Sequence, residues 1–277
     1  MSEYTNKFLI EHIDKAILEA GMEKSKFDSP YFDKNFKGWS GSSYTSRRMF
    51  SNLCDLKDAN YLEVGVYGAS TFVAAVKDNP LKSAYAVDYW VAPLEPGIDG
   101  AQVEKNFKDN MKFFLGKQKN IKVLKGDCFS LDLSKIKNKI DIYFYDADHN
   151  EESQYKALTY YYPVLNDIFI LIVDDWLVPQ IRRGTLKAIE DLKLKVNYKV
   201  ELPLQSETAR GKGSTKYGWV EFLDDKPEEK EFLKVRYEHG EIKMLPKSEV
   251  EFHYVSLNNY WWNGFGIFLL EKQNVQP

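Results

Sequence analysis

The chain opens on a helical period. Between positions 6 and 22, Phe8, Leu9, His12, Ile13, Ala16, Ile17, Leu18 and Ala20 recur at three- and four-residue spacing, and Gly21 offers a stop. Residues 23–42, rich in Ser, Gly, Lys and aromatics, read as a surface loop, and 43–54 as a second helix. The period then changes. Short apolar runs predict buried strands over 61–66, 84–88, 121–127, 140–146, 169–174 and 198–204. Helical stretches fall between them, over 70–77, 103–115, 151–165 and 181–194. This alternation predicts βαβ units and a mainly parallel sheet covered on both faces. In such sheets ligands bind beyond the carboxyl ends of the strands, where the strand order reverses. The second to fifth predicted strands all end in Asp, and the first carries Glu63 near its end.

Beyond position 205 the pattern is weaker. Residues 206–215 are polar, basic and glycine-containing and read as a loop; 217–223 suggest a strand and 235–244 a hairpin turning at His239-Gly240. Residues 264–271 form a final apolar strand. No repeat or low-complexity segment stands out.

Composition narrows the class. A chain of 277 residues with 44% hydrophobic and 15% aromatic residues can bury a large core. The 38 basic and 41 acidic residues leave no cationic excess, so no nucleic-acid partner is expected. Cys54 and Cys128 are too few for a disulfide scaffold, which fits a reduced, cytoplasmic setting. The charged N-terminus lacks the apolar core of a signal peptide, and the longest apolar run, 168–173, is too short to span a bilayer, so no membrane association is expected.

Four segments carry candidate chemistry. In Glu63-Val64-Gly65-Val66-Tyr67-Gly68-Ala69-Ser70-Thr71 a strand turns into a helix through glycines that let the backbone approach a ligand. Glu63 would repel a pyrophosphate and suits a cationic group, such as the amino group of a methionine moiety. Asp88, about 25 residues downstream of that motif, is placed to accept from ribose hydroxyls. Asp127, with Cys128 and Phe129, offers a carboxylate and a ring for an adenine. Each acid has a plain alternative as a helix or turn cap. The fourth segment is Tyr145-Asp146-Ala147-Asp148-His149, joined to Val173-Asp174-Asp175-Trp176. Carboxylates crowded at adjacent strand ends repel one another unless neutralised, and a hard divalent cation such as Mg2+ would do so. A cation there would lower the pKa of a substrate hydroxyl, with His149 or Asp148 as the base. Capping by Asp148, His149 and Asp175 is again the alternative.

The order of these motifs resembles that of class I S-adenosyl-L-methionine (AdoMet)-dependent methyltransferases over roughly residues 60–175. Where the family usually has a glycine this chain has Ala69, with Gly68 just before it, so the loop is either one residue shorter or tolerates alanine. The acidic segments are similar to those of metal-dependent small-molecule, sugar-modifying O-methyltransferases of the macrocin and mycinamicin type. The resemblance implies a Rossmann-like doubly wound sheet of about seven strands, the last antiparallel. It implies an N-terminal helical cap over 1–58 and a methyltransferase domain over 59–277 with a β-rich insertion near 205–260. It implies AdoMet contacts from Glu63, Gly65, Tyr67, Gly68, Ser70, Thr71, Asp88, Asp127, Cys128, Phe129 and Asp146. Asp146, Asp174 and Asp175 would hold the metal, and the acceptor would be a small hydroxylated molecule, a sugar or phenol. A homo-oligomer is compatible with this reading. Two alternatives stand beside it: a nucleotide-sugar glycosyltransferase using Asp146 and Asp148, and a non-catalytic AdoMet-binding protein. Trp39, Trp176, Trp261 and Trp262 are candidates for an acceptor wall, and Arg182, Arg183, Arg210 and Lys212 for an anionic substrate. For the Tyr260-Trp261-Trp262 cluster, core or subunit-interface packing is the alternative, and for the cations a solvated loop. Tyr160-Tyr161-Tyr162 is expected to cover the sheet, and His12, His239 and His253 to be packing or surface residues.

Overall fold

A computed structural model describes residues 4–91, 99–116, 118–202, 212–215, 218–222, 230–237, 241–253 and 264–273. Three helices lead: α1 (Asn6–Gly21), α2 (Ser29–Asn35) and α3 (Tyr44–Leu53). Then come β1 (Asn60–Val64), α4 (Ser70–Val76), β2 (Ser83–Asp88), α5 (Gly100–Leu115), β3 (Ile121–Lys125), β4 (Ile140–Tyr145), α6 (Glu151–Tyr161), β5 (Leu165–Val173), α7 (Pro179–Asp191) and β6 (Lys195–Leu202). A second group follows: β7 (Lys212–Thr215), β8 (Gly218–Phe222), β9 (Phe232–Tyr237), β10 (Ile242–Pro246) and β11 (Glu251–His253). The last strand, β12 (Phe265–Glu271), returns to the first sheet.

That main sheet runs β3-β2-β1-β4-β5-β12-β6. Its first five strands pair in parallel, and β12 lies antiparallel between β5 and β6. The α/β, Rossmann-like expectation, antiparallel last strand included, describes this sheet. β1 is followed on one side by β2 and on the other by β4, so the order reverses there and a crevice opens above their carboxyl ends. The pleat sends alternate side chains to opposite faces. Tyr61, Ile142, Phe144, Ile170 and Ile172 pack with residues of α1, α3, α4 and α5. Leu62, Val64, Tyr143, Tyr145, Leu171 and Val173 pack with residues of α6 and α7. This double burial is why the strands read as unbroken apolar runs. The second group forms a five-stranded antiparallel sheet, β10-β9-β8-β7-β11.

Four expectations need correction. The loop read over 23–42 contains α2, opened by Asp28, whose carboxylate accepts from Tyr31 N, with Pro30 in the first turn. α6 ends at Tyr161, not at 165, because Pro163 cannot continue it and β5 already starts at Leu165. The polar stretch 206–215 ends in a strand, β7. Trp176 is fully buried against Phe268, and a Cβ on Gly266 would stand 2.5 Å from its ring, so it fills the core and lines no acceptor pocket. Among the described residues no helix is long and apolar enough to cross a membrane.

Candidate active site

The turn from β1 into α4 is built on unusual backbone. Gly65 has φ +92°, and a Cβ there would fall 1.8 Å from the carbonyl oxygen of Asp146, so only glycine lets the turn lie against the end of β4. The turn is fixed by Gly65 N donating to Val87 O at 2.9 Å and Asp146 N donating to Val64 O at 2.8 Å. Ala69, where the resemblance leads one to expect glycine, holds φ +74° and ψ +25°. Alanine thus keeps the left-handed geometry, at a cost of about 1–2 kcal/mol.

Glu63 is fully buried, and both its oxygens are taken: Tyr61 OH donates to Oε2 at 2.5 Å and Thr71 Oγ1 donates to Oε1 at 2.7 Å. Burial pushes its carboxyl up to about 8 against those two bonds. Glu63 therefore ties β1 to α4 through Thr71. Asp88 is half-buried. Tyr67 N donates to its Oδ2 at 2.8 Å, and Tyr89 N and Trp90 N donate to its Oδ1 at 2.7 and 3.0 Å. Three of its roughly four acceptor sites are thus filled, which leaves about one for a ribose hydroxyl rather than a bidentate grip. Burial shifts its carboxyl upward.

Beside Asp88, Gly126 N donates to Asp88 O at 3.0 Å and brings in the next segment. Asp127 caps its own turn, accepting from Phe129 N and Ser130 Oγ, both at 2.9 Å. The capping alternative thus describes Asp127 as it stands. Phe129 stacks on Tyr145 with ring centroids 6.4 Å apart, and burial pushes the Cys128 thiol up to about 12.

The acids at the ends of β4 and β5 converge. Burial, then the charges of Asp146 and Asp175, hold the Asp174 carboxyl well above the usual carboxylate range, and Asp174 and Asp146 share a hydrogen bond. His149 lies between two of these acids, with Nε2 3.6 Å from Asp146 Oδ1 and Nδ1 3.4 Å from Asp175 Oδ2. Its hydrogen bond to Asp146 outweighs burial and raises it to about 9. Asp175 takes φ +51° and does not cap α7, whose N-cap is Val178. Asp148 differs. Its Oδ2 accepts from Asn150 Nδ2 at 2.6 Å and Ser153 Oγ at 2.8 Å, its Oδ1 accepts from Asn150 N at 3.3 Å, and Asn150 is the N-cap of α6. The structure therefore brings Asp146, His149, Asp174 and Asp175 together and commits Asp148 to the entry of α6.

In kind, the donor set fits a hard divalent cation: three carboxylates drawn together at the strand ends, with one imidazole beside two of them. As the side chains stand, however, no group of three or more His, Cys, Asp or Glu among the described residues is arranged to hold a metal ion.

Other expected residues are placed elsewhere. His12 Nε2 bonds Leu53 O at 2.9 Å as packing. Tyr160 and Tyr161 donate to Leu131 O and Cys128 O and brace the strand ends from α6. Arg182 pairs with Glu201 and Arg183 with Glu151. Arg210, His239, Tyr260, Trp261 and Trp262, and the side chains of Lys212 and His253, lie outside the described residues. Sequence reasoning missed Asn110. Its Nδ2 donates to Lys37 O and Gly68 O, and its Oδ1 accepts from Lys37 N, so it joins the segment between α2 and α3 to the glycine turn. The signal was present: Asn110 occupies the apolar face of α5 with Val103, Phe107 and Phe114.

Residues 62–176 match a family model described as a methyltransferase domain. No curated protein matches the chain by sequence. Similar solved structures include the S-adenosylhomocysteine-bound methyltransferase PaMTH1 of Podospora anserina, at 16% identity over 74% of this chain and 93% of that one, with a TM-score of 0.47. The O-methyltransferase TomG of Streptomyces achromogenes, from tomaymycin synthesis, is 12% identical over 94% and 90%, with a TM-score of 0.45. An O-methyltransferase of Bacillus cereus is 9% identical over 98% and 94%, with a TM-score of 0.42. These likenesses are too distant to carry an argument. The match over residues 62–176 runs from the glycine turn to the Asp174-Asp175 pair, on a sheet of the expected order. Residues 62–176 thus carry a methyltransferase domain, which favours the methyltransferase reading over the glycosyltransferase one.

Proposed function

We propose that the enzyme moves the AdoMet methyl group to a hydroxyl oxygen of a small acceptor, such as a sugar or a phenol, at the acids that close β4 and β5. The observation that carries this reading is the gathering of Asp146, His149, Asp174 and Asp175 beside the glycine turn, where Gly65 and Asp146 touch backbone to backbone. The turn from Gly65 to Thr71 and Asp88 would bind the methionine and ribose parts of the cofactor, and the segment from Asp127 to Phe129 its adenine. Glu63 acts indirectly, by holding Thr71.

His149 is the base in this reading. A cation bound among Asp146, Asp174 and Asp175 would offset the carboxylate charge that raises His149 and leave its imidazole free to take a proton, whereas the oxygens of Asp148 are already engaged. As the acceptor oxygen forms its bond to the methyl carbon, the sulfur–methyl bond breaks and the hydroxyl proton passes to His149. Asp146, Asp174 and Asp175 would hold a divalent cation, Mg2+ by the hardness of the oxygen donors, and a bound cation supplies a lowered hydroxyl pKa. A methyl-transfer screen over sugars, catechols and phenols, with and without EDTA, tests the proposal. Turnover of a hydroxyl compound that EDTA suppresses supports it in full. Turnover indifferent to EDTA removes the metal, and methylation confined to nitrogen or carbon removes the oxygen chemistry.

A further inference from the structure

The segment between α2 and α3 is fastened onto the glycine turn at several points. Phe36 lies against Gly68, where a Cβ would meet its ring at 3.2 Å. Asn110 ties Lys37 to Gly68 from α5. The Trp39 ring meets Tyr67 edge-on, with centroids 6.0 Å apart. At the far end, Ser42 Oγ and Ser70 Oγ are hydrogen-bonded at 2.5 Å, which joins the segment to the first residue of α4.

Behind Ser42 sits Arg47, a fully buried residue of α3. Its guanidinium donates to the Ser42 carbonyl at 2.6 Å and to Ser42 Oγ at 3.2 Å. It also lies 2.8 Å from Asp33 Oδ1, and 5.0 and 5.1 Å from the ring centroids of Phe32 and Tyr44. A buried cation is costly unless paired, and a neutral side chain of similar volume would fill the same space without that cost. Packing alone therefore does not account for a charge here, and the group this charge reaches is Ser42.

A guanidinium only donates, whereas a hydroxyl gives one hydrogen and accepts through its lone pairs. With Arg47 donating to it, the Ser42 oxygen becomes a poorer acceptor and its hydrogen a stronger donor, because bonded groups polarise one another. The bond to Ser70 thereby acquires a direction: Ser42 donates and Ser70 accepts. The hydrogen of Ser70 is left for another acceptor, and no second hydrogen bond engages that hydroxyl among the described residues. Ser70 belongs to the turn assigned above to the methionine part of AdoMet, whose carboxylate is a strong acceptor for such a donor.

We propose that Arg47 is a positioning residue for cofactor binding, acting through Ser42 to hold Ser70 as a hydrogen-bond donor toward the carboxylate end of AdoMet. The inference rests on the cofactor assignment made above. It adds Ser42 and Arg47, both outside the matched methyltransferase segment.

The test compares Kd values of AdoMet and of decarboxylated AdoMet, which lacks only the carboxylate. Calorimetry is run on the wild type, Ser42→Ala, Arg47→Lys and the double variant, with melting curves as the folding control. Ser42→Ala should weaken AdoMet by roughly 3- to 12-fold, the range of one hydrogen bond, and the decarboxylated ligand by less than about twofold. Arg47→Lys keeps the charge but not the planar fork, so its AdoMet affinity should fall between those of the wild type and Ser42→Ala. Added to Ser42→Ala, Arg47→Lys should change AdoMet affinity by less than about twofold, because the route is already cut. If Arg47→Lys fails to fold, the two Kd values of Ser42→Ala decide alone. Equal weakening of both ligands would overturn the proposal and leave the contact a brace of the fold. Unchanged AdoMet affinity in Ser42→Ala, or additive losses in the double variant, would overturn it too. A wild type that binds neither ligand would refute the cofactor site itself, and the proposal with it.

Discussion

Glu63→Gln isolates one buried ionisation and its effect on stability. The carboxyl has an ordinary value of 4.5 and is raised to about 8 in the fold, mainly by burial. Between those values the folded chain keeps a proton that the unfolded chain has released, so this group makes stability fall as pH rises. The slope is about 1.4 kcal/mol per pH unit, and the total is about 5 kcal/mol once pH passes the folded value. For a chain of this size 1 kcal/mol corresponds to roughly 2–4 °C in melting temperature, so the group alone lowers it by about 3–6 °C per pH unit. Glutamine has the same shape and stays neutral. It can accept from Thr71 and donate to Tyr61, so both internal bonds survive. Differential scanning fluorimetry of both proteins at several values between pH 5 and 8.5 gives two profiles. Other raised groups, Asp88 and Asp174 among them, titrate in both and cancel in the difference. The variant should match the wild type near pH 5 and gain on it steadily above. Parallel profiles would show that Glu63 is already ionised in the folded chain and would refute the reasoning.

Gly65→Ala should remove the folded, AdoMet-binding protein, a loss above about 4 kcal/mol, because the new methyl meets a backbone carbonyl at 1.8 Å; Gly68→Ala, which meets only a ring edge at 3.2 Å, should still fold and melt near the wild type. Asp146→Ala combined with Asp174→Ala should abolish divalent-ion binding in a calorimetric titration while most AdoMet affinity remains, and an unchanged ion titration would refute the metal assignment. His149→Ala should lower kcat about 100-fold or more, whereas Asp148→Ala should mainly lower melting temperature by freeing the entry of α6; the reverse pattern would exchange their roles. Asn110→Ala should cost about 2–3 kcal/mol in chemical denaturation and weaken AdoMet, since it unties Gly68 from Lys37.

The sheet was legible because its strands are buried on both faces and end in acids, so apolar runs and their punctuation stood out together. The α2 helix was not, because its seven residues are fewer than two turns and periodicity needs more. Ala69 shows a different limit. A missing glycine signals a missing turn only if alanine cannot hold positive φ, and here it does. Asp148 and Asp146 are both acids just past a strand, and nothing local in the sequence separates them. The difference arises in space, from Ser153 one turn into α6 and from His149 folding back toward Asp175. The sequence reading of Glu63 as suited to a cation did not foresee that Tyr61 and Thr71 would each donate to one of its oxygens, since these partners come from its own strand and from α4. Trp176 illustrates the same effect, since its ring suggested a wall for a stacked acceptor while Gly266 on the neighbouring strand makes a slot for it in the core.

The central claim is that the carboxyl ends of β1, β2, β4 and β5 form one cofactor-and-acceptor cleft. The most direct test is a crystal structure of the full chain with S-adenosylhomocysteine. The account predicts the ribose at Asp88, the sulfur directed toward Asp146 and His149, and the adenine beside Phe129. A nucleoside bound elsewhere, or a sulfur turned away from those two residues, would contradict it.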